Sequence, residues 1–292
     1  MNRKLVYSFV LVVVLMGVLA GSFNIHKAEA SGTIYIKADG AIEPLTANIT
    51  RIDNITYYFI DNNHDSIVVE RNNIVIDGKS HILQGVESTG TGISLVGRKN
   101  VTIKNMEVRA FGNSIYLQNS SENTISESNI ENNYYGILLS DSNGNDIYRN
   151  NITNNQYGIG LFNSSNQNSI CQNNIANNFV SIWLFGSSLT SIYHNNFINN
   201  TERVATLGSV LNIWDDGYPS GGNYWSDYEE RYPNATEIDG SGIWDTPYVI
   251  DGSNQDNYPL IPECPSFIII QLFMTSTLLA VMIYRKKRTT NS

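Results

Sequence analysis

Short apolar runs alternate with Asn, Ser and Gly along this chain, and the same run recurs at a fixed interval between residues 123 and 189. Ile125, Ile147, Ile170 and Ile192 follow one another at spacings of 22, 23 and 22 residues. Two further columns keep the same step: Ile93, Ile115, Ile137, Ile159 and Ile182, and Val108, Ile130, Ile152, Ile175 and Phe197. A fixed period of this size is typical of a repeat architecture.

The apolar runs predict short strands. They are β-branched and interrupted by Asn-Asn pairs, whereas an amphipathic helix needs apolar residues at a 3.6-residue spacing. A coil of about 22 residues with three short strands is the unit of a parallel β-helix, whose coils stack roughly 4.7–4.9 Å apart. We therefore predict an all-β fold, a single-stranded right-handed parallel β-helix in which Ile137, Ile159 and Ile182 meet in series.

Asparagine recurs in columns as well, and we place these columns at the turns. They are Asn129, Asn151, Asn174 and Asn196, and Asn133, Asn155, Asn178 and Asn200. Asparagine tolerates left-handed backbone, and its amide can bond to the copies above and below it. We expect both columns to form ladders along the stack.

The coil pattern N-x-I-x-x-N-x-I-x-x-N-x-x-G-I resembles the NosD-type β-helix repeat, which is shared with carbohydrate-binding and sugar-hydrolase β-helices. It covers residues 65–211. The segments NIWDDGYPSGGNYWSDY and GIWDTPYVIDGSNQDNYPL resemble the C-terminal module of archaeal NosD-like surface proteins. What this resemblance implies is a periplasmic role in delivering copper to nitrous oxide reductase.

Two segments flank the repeats. Residues 31–64 lack the repeat pattern, and we interpret them as an N-terminal cap with strand-like runs at Thr33–Lys37 and Thr56–Ile60. Residues 212–262 are rich in Trp, Tyr and Asp-Gly, and we interpret them as a C-terminal cap. Caps are expected because the end coils of a solenoid expose strand edges and apolar side chains.

Both termini carry membrane-directed patterns. Residues 1–30 combine the basic pair Arg3-Lys4, an apolar run and the small-x-small sequence Ala28-Glu29-Ala30, which predict a signal peptide, with an uncleaved anchor as the alternative. Residues 267–284 are uncharged and apolar and precede four basic residues, so residues 263–292 predict a transmembrane helix with a cytoplasmic tail. The expected location is the cell surface, outside the cytoplasm. The run Pro262-Glu263-Cys264-Pro265 resembles archaeal sorting tails, although Cys264 stands where those have Phe.

Composition narrows the class of partner. The net charge of −9 argues against nucleic acid, and the charged fraction of 15% means that solubility rests on Asn, Ser, Thr and Gly. The expected partners are the membrane, through the C-terminal helix, and polysaccharides or surface-layer proteins. Aromatic rings pack against the apolar faces of sugars, so we select the aromatic residues as glycan-binding candidates. These candidates are Tyr135, Tyr157, Trp183, Phe185, Trp214 and Trp225.

Metal sites have weaker support in the sequence. Asp239, Ser241 and Asp245, together with Asp251 and Asp256, place oxygen donors around glycines as calcium loops do, so a structural calcium ion is the only cofactor suggested. Asp-Gly pairs that simply form turns remain the alternative. Copper needs Cys, Met or His ligands. The nearest approach to such a set is His194 with Cys171, which stand in adjacent columns one coil apart and make a poor site.

Catalysis is the remaining hypothesis. Polysaccharide lyases, hydrolases and epimerases need clustered carboxylates with a basic residue beside them. Glu127, Arg149, Gln172 and His194 share one column, but Glu127 over Arg149 is more simply an ion pair between coils. We therefore favour a non-catalytic surface protein that binds glycans or envelope partners, with polysaccharide cleavage or epimerisation and copper handling as alternatives.

Overall fold

The computed structural model describes residues 32–262. The predicted signal peptide (1–30) and membrane anchor (263–292) lie outside the described residues. Within the described range, no helix is long and apolar enough to cross a membrane.

The chain winds through about seven turns of a parallel β-solenoid, and nearly all of its strands lie on three faces. Face 1 consists of β4 (Thr56–Phe59), β6 (Ile74–Asp77), β8 (Val101–Lys104), β10 (Thr124–Ser126), β13 (Asp146–Tyr148), β16 (Ser169–Cys171) and β19 (Ser191–Tyr193). Face 2 begins with the first parts of β7 (Ile82–Val96) and β9 (Glu107–Gln118) and continues through β11 (Asn129–Glu131), β14 (Asn151–Thr153), β17 (Asn174–Ala176), β20 (Asn196–Ile198) and β22 (Tyr224–Trp225).

Face 3 holds the longer strands. It consists of β1 (Thr33–Ile36), β5 (Ser66–Val69), the second parts of β7 and β9, and then β12 (Tyr135–Ser140), β15 (Tyr157–Phe162), β18 (Val180–Phe185) and β21 (Glu202–Leu207). Strands β7 and β9 continue from face 2 into face 3, and the pairing of β7 is irregular between Gln84 and Thr89.

The remaining elements lie at the two ends. Antiparallel β2 (Ile42–Glu43) pairs with β1, and β3 (Ile49–Arg51) pairs with β4. The predicted strand runs in this N-terminal region are confirmed as β1 and β4. Near the C-terminal end lie the helix α1 (Tyr228–Arg231) and the antiparallel pair β23 (Tyr248–Val249) and β24 (Gln255–Asp256).

The apolar columns align as predicted and form the core. Ile125 pairs with Ile147, and the column continues through Ile170 and Ile192 on face 1. On face 3, Ile137, Ile159 and Ile182 pair in register, and all are fully buried. Burial of each such side chain contributes roughly 1.5–3 kcal/mol. The core is therefore continuous along the stack, because each coil covers the apolar side chains of the one before it.

Buried asparagines form ladders that connect the coils. The Oδ1 atom of Asn155 accepts from both the backbone N–H and the Nδ2 of Asn133, at 2.9 and 3.0 Å. Its Nδ2 donates to the Ile130 carbonyl at 3.0 Å, and the pattern repeats from Asn155 to Asn178 and Asn200. This predicted column is confirmed as a ladder. A buried amide is costly without partners, and here each one is satisfied by the next coil.

Two further buried ladders escaped the sequence analysis. One joins Asn123, Asn145 and Asn168, and the other joins Asn150, Asn173, Asn195 and Asn223. Serines make a similar column in which a hydroxyl accepts from the backbone of the preceding coil, as Ser165 does from Ser142.

The predicted turn positions need correction. Asn129, Asn151, Asn174 and Asn196 begin the face 2 strands β11, β14, β17 and β20 and are not turn residues. Their outer amides still make a ladder, with 2.7 Å from Asn151 to Asn129 and from Asn174 to Asn151. The left-handed residues are those directly before the Asn133 column, for example Asn132 with φ 56° and Asn154 with φ 57°. The chain turns at these exposed residues, which leaves the next amide to point inward.

We expect the inner ladder to contribute far more stability than the outer one. Asn173→Ala would remove a buried amide that makes bonds to Asn150, Asn195 and the Ile147 carbonyl, and would leave their polar groups unpaired. We expect a loss of about 2 kcal/mol or more in the free energy of unfolding in urea. Asn174→Ala, the matched control at the half-buried neighbouring position whose amide lies on the outer surface, should lose less than about 1 kcal/mol. Equal losses would contradict the ladder as the main polar link.

Thr190 interrupts one asparagine ladder, and replacing it with asparagine should therefore stabilise the protein. It stands between Asn168 and Asn212 in the column, and its hydroxyl has no partner among residues 32–262. Thr190→Asn should supply the missing acceptor and donor and raise the free energy of unfolding by about 1 kcal/mol. Thr190→Val, which also removes the unpaired hydroxyl, serves as the control. A Val variant as stable as the Asn variant would show that only desolvation matters.

Candidate functional site

Six aromatic side chains cluster at the outer surface of face 3, and we call them the aromatic strip. They are Tyr134, Tyr135, Tyr157, Phe162, Trp183 and Phe185. The Tyr135 and Tyr157 rings stack with centroids 4.8 Å apart and planes 19° apart. Trp183 continues the stack on Tyr157 at 4.9 Å and 29°. These spacings match the rise of one coil, so the solenoid itself sets the stacking distance.

The stack has an exposed end at Trp183. The inner rings cover one another, so Tyr157 has a ring on each side and offers mainly its edge and hydroxyl to solvent. Residue Ala205 follows Trp183 in its column and has no ring to cover it. A shallow depression of about 250 Å³ lies beside this tryptophan, lined by Phe162, Asn163, Trp183 and Phe185. A ligand would meet the strip at this depression rather than on the tyrosines.

Phe162 forms one wall of the depression and stands across the stack. Its ring is at 84° to Trp183 with centroids 5.0 Å apart, and at 85° to Phe185. Gly160 makes room for this arrangement, because a Cβ there would lie 3.1 Å from Leu138 Cδ1 and 3.4 Å from Phe162 Cζ. Because Gly160 has no side chain, those of Leu138 and Phe162 can lie over the strand at this position.

The strip is apolar and uncharged but carries hydroxyl groups. Burial raises the pKa of Tyr135 to about 12, with smaller contributions from Tyr134 and Tyr157. Burial also raises the pKa of Tyr157. Both phenols are therefore neutral hydrogen-bond donors at physiological pH. Tyr134 is 49% exposed and Phe185 is 41% exposed, so the strip is accessible.

The structure brings together Tyr135, Tyr157, Trp183 and Phe185, as the sequence suggested. It adds Tyr134, Phe162 and Asn163, which sequence reasoning missed. Phe162 pairs in register with Phe185, 23 residues later, so the repeat spacing could have identified it. The sequence carries no signal for the contact between rings of different columns, such as Phe162 and Trp183.

Trp214 and Trp225 were wrong as glycan-binding candidates. Both are 1% exposed, because they close the end of the core. Trp225 stacks between Phe197 at 4.3 Å and Tyr248 at 4.1 Å. The Trp214 indole N–H donates to Asn254 Oδ1 at 3.2 Å. Both tryptophans therefore belong to the buried apolar core and cover its C-terminal end.

Asp256 ends one of the asparagine ladders. Its Oδ2 accepts from the Asn223 backbone N–H at 2.7 Å and from the Trp225 Nε1 at 2.9 Å, and its Oδ1 accepts from the Tyr258 N–H at 3.1 Å. The side chain is fully buried. Burial raises the pKa of this carboxyl to about 7, although the hydrogen bonds from Trp225, Asn223 and Tyr258 favour the ionised form.

Four of the five residues predicted to hold calcium form hydrogen bonds within the protein. Asp251 accepts from Thr206 and Asn254, Asp245 accepts from Thr236, and Asp256 belongs to the ladder. Ser241 donates to the Ile238 carbonyl, and Asp239 has a left-handed backbone with φ 49°. Between residues 32 and 262, no three His, Cys, Asp or Glu side chains are grouped closely enough to hold a metal ion.

The weak copper pair is not assembled into a site. Cys171 pairs in register with Tyr193, one position before His194. The His194 ring is hydrogen-bonded to Ser220, with 2.9 Å from Nε2 to its carbonyl oxygen. Burial raises the pKa of the Cys171 thiol, partly opposed by the Ser169 hydrogen bond, which disfavours the thiolate that binds copper. Met106, the one methionine in the described range, is buried. The described residues therefore do not fit a copper ligand set.

The column proposed for catalysis is not an acid/base pair. Arg149 donates to Gln172 Oε1 at 2.9 Å, and Glu127 makes no salt bridge to Arg149 in the described structure, contrary to the expected ion pair. Glu127, Arg149, Gln172 and His194 are all left-handed, with φ between 52° and 57°. They are turn residues whose side chains project outward.

A comparison with known families gives a match over most of the chain. A sequence model described as "Periplasmic copper-binding protein (NosD)" matches residues 27–230, which is 204 of the 292 residues. A search of curated proteins found no significant match. The match includes every coil and the whole aromatic strip.

The buried carboxyl predicts a pH-dependent stability. Because the folded pKa of Asp256 is raised to about 7, the native state holds this proton more tightly than the unfolded chain. The resulting stability is fully present below the ordinary aspartate pKa and is lost as pH rises through about 7. We expect the thermal midpoint of the parent to fall between pH 5 and 8. Asp256→Asn should flatten that dependence, and Asp239→Asn, an exposed control, should leave it unchanged. A parent midpoint that is flat or rising over this range would contradict the assignment.

Proposed function

The chain belongs to the NosD family, and from this membership we propose that it is an exported, non-catalytic β-helix protein that binds surface glycans through its aromatic strip. The family is described as periplasmic, which places its members outside the cytoplasm. Export through residues 1–30 and tethering through residues 263–292 are part of the proposal.

The observation that carries the proposal is the depression at the end of the ring stack. It combines an uncovered tryptophan face, a perpendicular phenylalanine wall and the Asn163 amide, whose Nδ2 donates to Ser140 Oγ at 3.1 Å. A sugar ring has apolar C–H faces and equatorial hydroxyls, so it suits a surface of aromatic faces edged with polar groups. The volume of about 250 Å³ is enough to hold part of one or two sugar rings.

Charge favours a neutral glycan at this strip. No Lys or Arg stands in the three outward columns of face 3 between residues 135 and 185. Asp141 accepts from Ser140, whose hydroxyl also accepts from Asn163 in the wall of the depression. A polyuronate would meet no cation here and would be repelled by the acidic surroundings. The aromatic strip therefore fits neutral polysaccharides best.

The family description makes copper handling the second candidate. The donor set of the described residues speaks against it, because the thiol, the thioether and the imidazoles are not grouped together. Polysaccharide cleavage has less support, because in residues 32–262 no three His, Cys, Asp or Glu side chains are grouped together and Glu127 does not pair with Arg149. Among these functions, glycan binding is the one that a specific surface supports.

The test is retention of the full-length protein on arrays of neutral glucans, mannans and N-acetylglucosamine polymers, with a polyuronate alongside. Trp183→Ala should weaken binding to the best neutral polymer by roughly tenfold or more, because an aromatic anchor in a pocket carries much of the binding energy. Phe185→Ala should weaken it to a smaller degree.

Tyr218→Ala is the matched control, because Tyr218 is an exposed aromatic residue in the C-terminal cap outside the strip. Its binding should equal that of the parent. If no neutral polymer is retained, or if Trp183→Ala and Tyr218→Ala behave alike, the aromatic strip is not a glycan site. Stoichiometric Cu(I) uptake by the parent would favour the copper alternative instead.

A further inference from the structure

Two arginines converge at the N-terminal end of the solenoid, far along the chain from the aromatic strip. Arg51 ends β3 and Arg71 follows β5, and both side chains extend to Gly40. A Cβ built at Gly40 would lie 2.2 Å from Arg51 Nη1 and 1.9 Å from Arg71 Nη1. The two nitrogens are therefore no further apart than the sum of these distances, 4.1 Å. Only glycine, which here has φ +92°, leaves room for both guanidinium groups.

Each guanidinium is oriented by one hydrogen bond. Arg51 Nη1 donates to the Gly40 carbonyl at 3.0 Å, and Arg71 Nη1 donates to the Tyr57 hydroxyl at 3.2 Å. The Tyr57 hydroxyl, on a fully buried residue, donates in turn to the Gly40 carbonyl at 3.1 Å. The carbonyl and the phenol thus hold both charged groups on one side of Gly40. Most of the five N–H groups on each guanidinium have no acceptor in residues 32–262.

No carboxylate balances this pair of charges. In the described part of the chain, no Asp or Glu oxygen lies within 4.0 Å of either arginine, since the salt bridges of this region involve other cations. Glu43 and Glu70 both pair with Lys37, at 3.5 and 3.7 Å. Two like charges this close repel one another, and an anion between them would remove the repulsion.

The charge distribution along the chain agrees with an anion at this end. Residues 33–110 contain eight Lys and Arg against nine Asp and Glu, whereas residues 111–262 contain three against sixteen. An anionic ligand would be repelled by the C-terminal coils and would meet its cations near Gly40. Arg98 is a further cation of this region, and its Nη1 donates to the carbonyl of Glu70, the residue before Arg71.

We propose that Arg51 and Arg71 form an anion-binding site for an oxyanion group, namely a carboxylate, sulfate or phosphate. Guanidinium groups recognise such groups through paired N–H donors. A single oxygen placed at hydrogen-bonding distance from both Nη1 atoms bridges a gap of at most 4.1 Å without strain. The group can come from a free ion or from an acidic sugar, and it occupies a site separate from the neutral-glycan surface.

The experiment is titration calorimetry on the full-length protein with inorganic phosphate, sulfate and glucuronate at constant ionic strength. We expect saturable binding of at least one of them. Arg51→Gln and Arg71→Gln should each weaken it roughly tenfold or more, because each removes charge-assisted hydrogen bonds. Comparison of the free ions with a polyuronate distinguishes an ion site from an acidic-sugar site.

Arg149→Gln is the matched control, since Arg149 is exposed, bonds to a neutral glutamine and lies on another part of the stack. It should leave the binding constant unchanged. A second measurement separates binding from folding: at low salt without oxyanion, Arg71→Gln should be at least as stable as the parent, because it relieves repulsion. If a Gln variant fails to fold, Arg51→Lys and Arg71→Lys keep the charge and should still weaken binding.

Absence of saturable binding by all three anions would overturn the proposal. So would equal affinities in the parent and both Gln variants. Loss of stability in Arg71→Gln without added anion, together with an unchanged affinity for the anions, would show that the arginine pair serves the fold alone. These outcomes are independent of the glycan arrays, because no residue of the aromatic strip is altered.

Discussion

The whole molecule depends on one requirement, that every buried amide find its partner one coil away. Within the inner ladders an Asn Oδ1 that follows another Asn accepts two N–H groups from the coil before it, and its own Nδ2 donates to a carbonyl of that coil, as Asn173 does. A coil shifted by one residue would leave these groups unpaired in an apolar core, at about 1–3 kcal/mol for each. The isoleucine columns supply most of the burial. The amide ladders allow that burial in only one register. This register places the outward-facing residues of successive coils directly above one another.

The aromatic strip and the arginine pair both follow from this stacking, in different ways. The stack of Tyr135, Tyr157 and Trp183 repeats the coil spacing and needs no special backbone. The arginines meet where the repeat is absent, because β3 and the turn after β5 come together around a glycine in the N-terminal region. One surface is neutral and apolar, whereas the other is cationic and polar. The solenoid therefore carries two outer surfaces of different chemistry.

The sequence was informative wherever one residue type recurred at the repeat step. The apolar columns, the Asn133 ladder and the Tyr135–Tyr157 stack could all be predicted because identical residues must lie over one another. The inner Asn123 and Asn150 columns were equally visible and were overlooked in favour of the exposed Asn129 column. Burial of Trp214 and Trp225 could not be predicted, because aromatic residues suit a cap and a sugar surface alike. The approach of Arg51 to Arg71 also had no sequence signal, since it depends on tertiary packing in a non-repeating segment.

The direction of the hydrogen bonds along the inner ladder determines how a solenoid of this kind can end. Each asparagine both accepts and donates, so a stack made only of asparagines has no chemical reason to stop. Asp256 occupies the position after Asn223, and every hydrogen bond that its side chain makes in the structure is one that it accepts. It therefore acts as a terminator, independent of how many coils precede it. A whole coil of 22 or 23 residues inserted or removed upstream would change the reach of the rod and leave its closing chemistry intact.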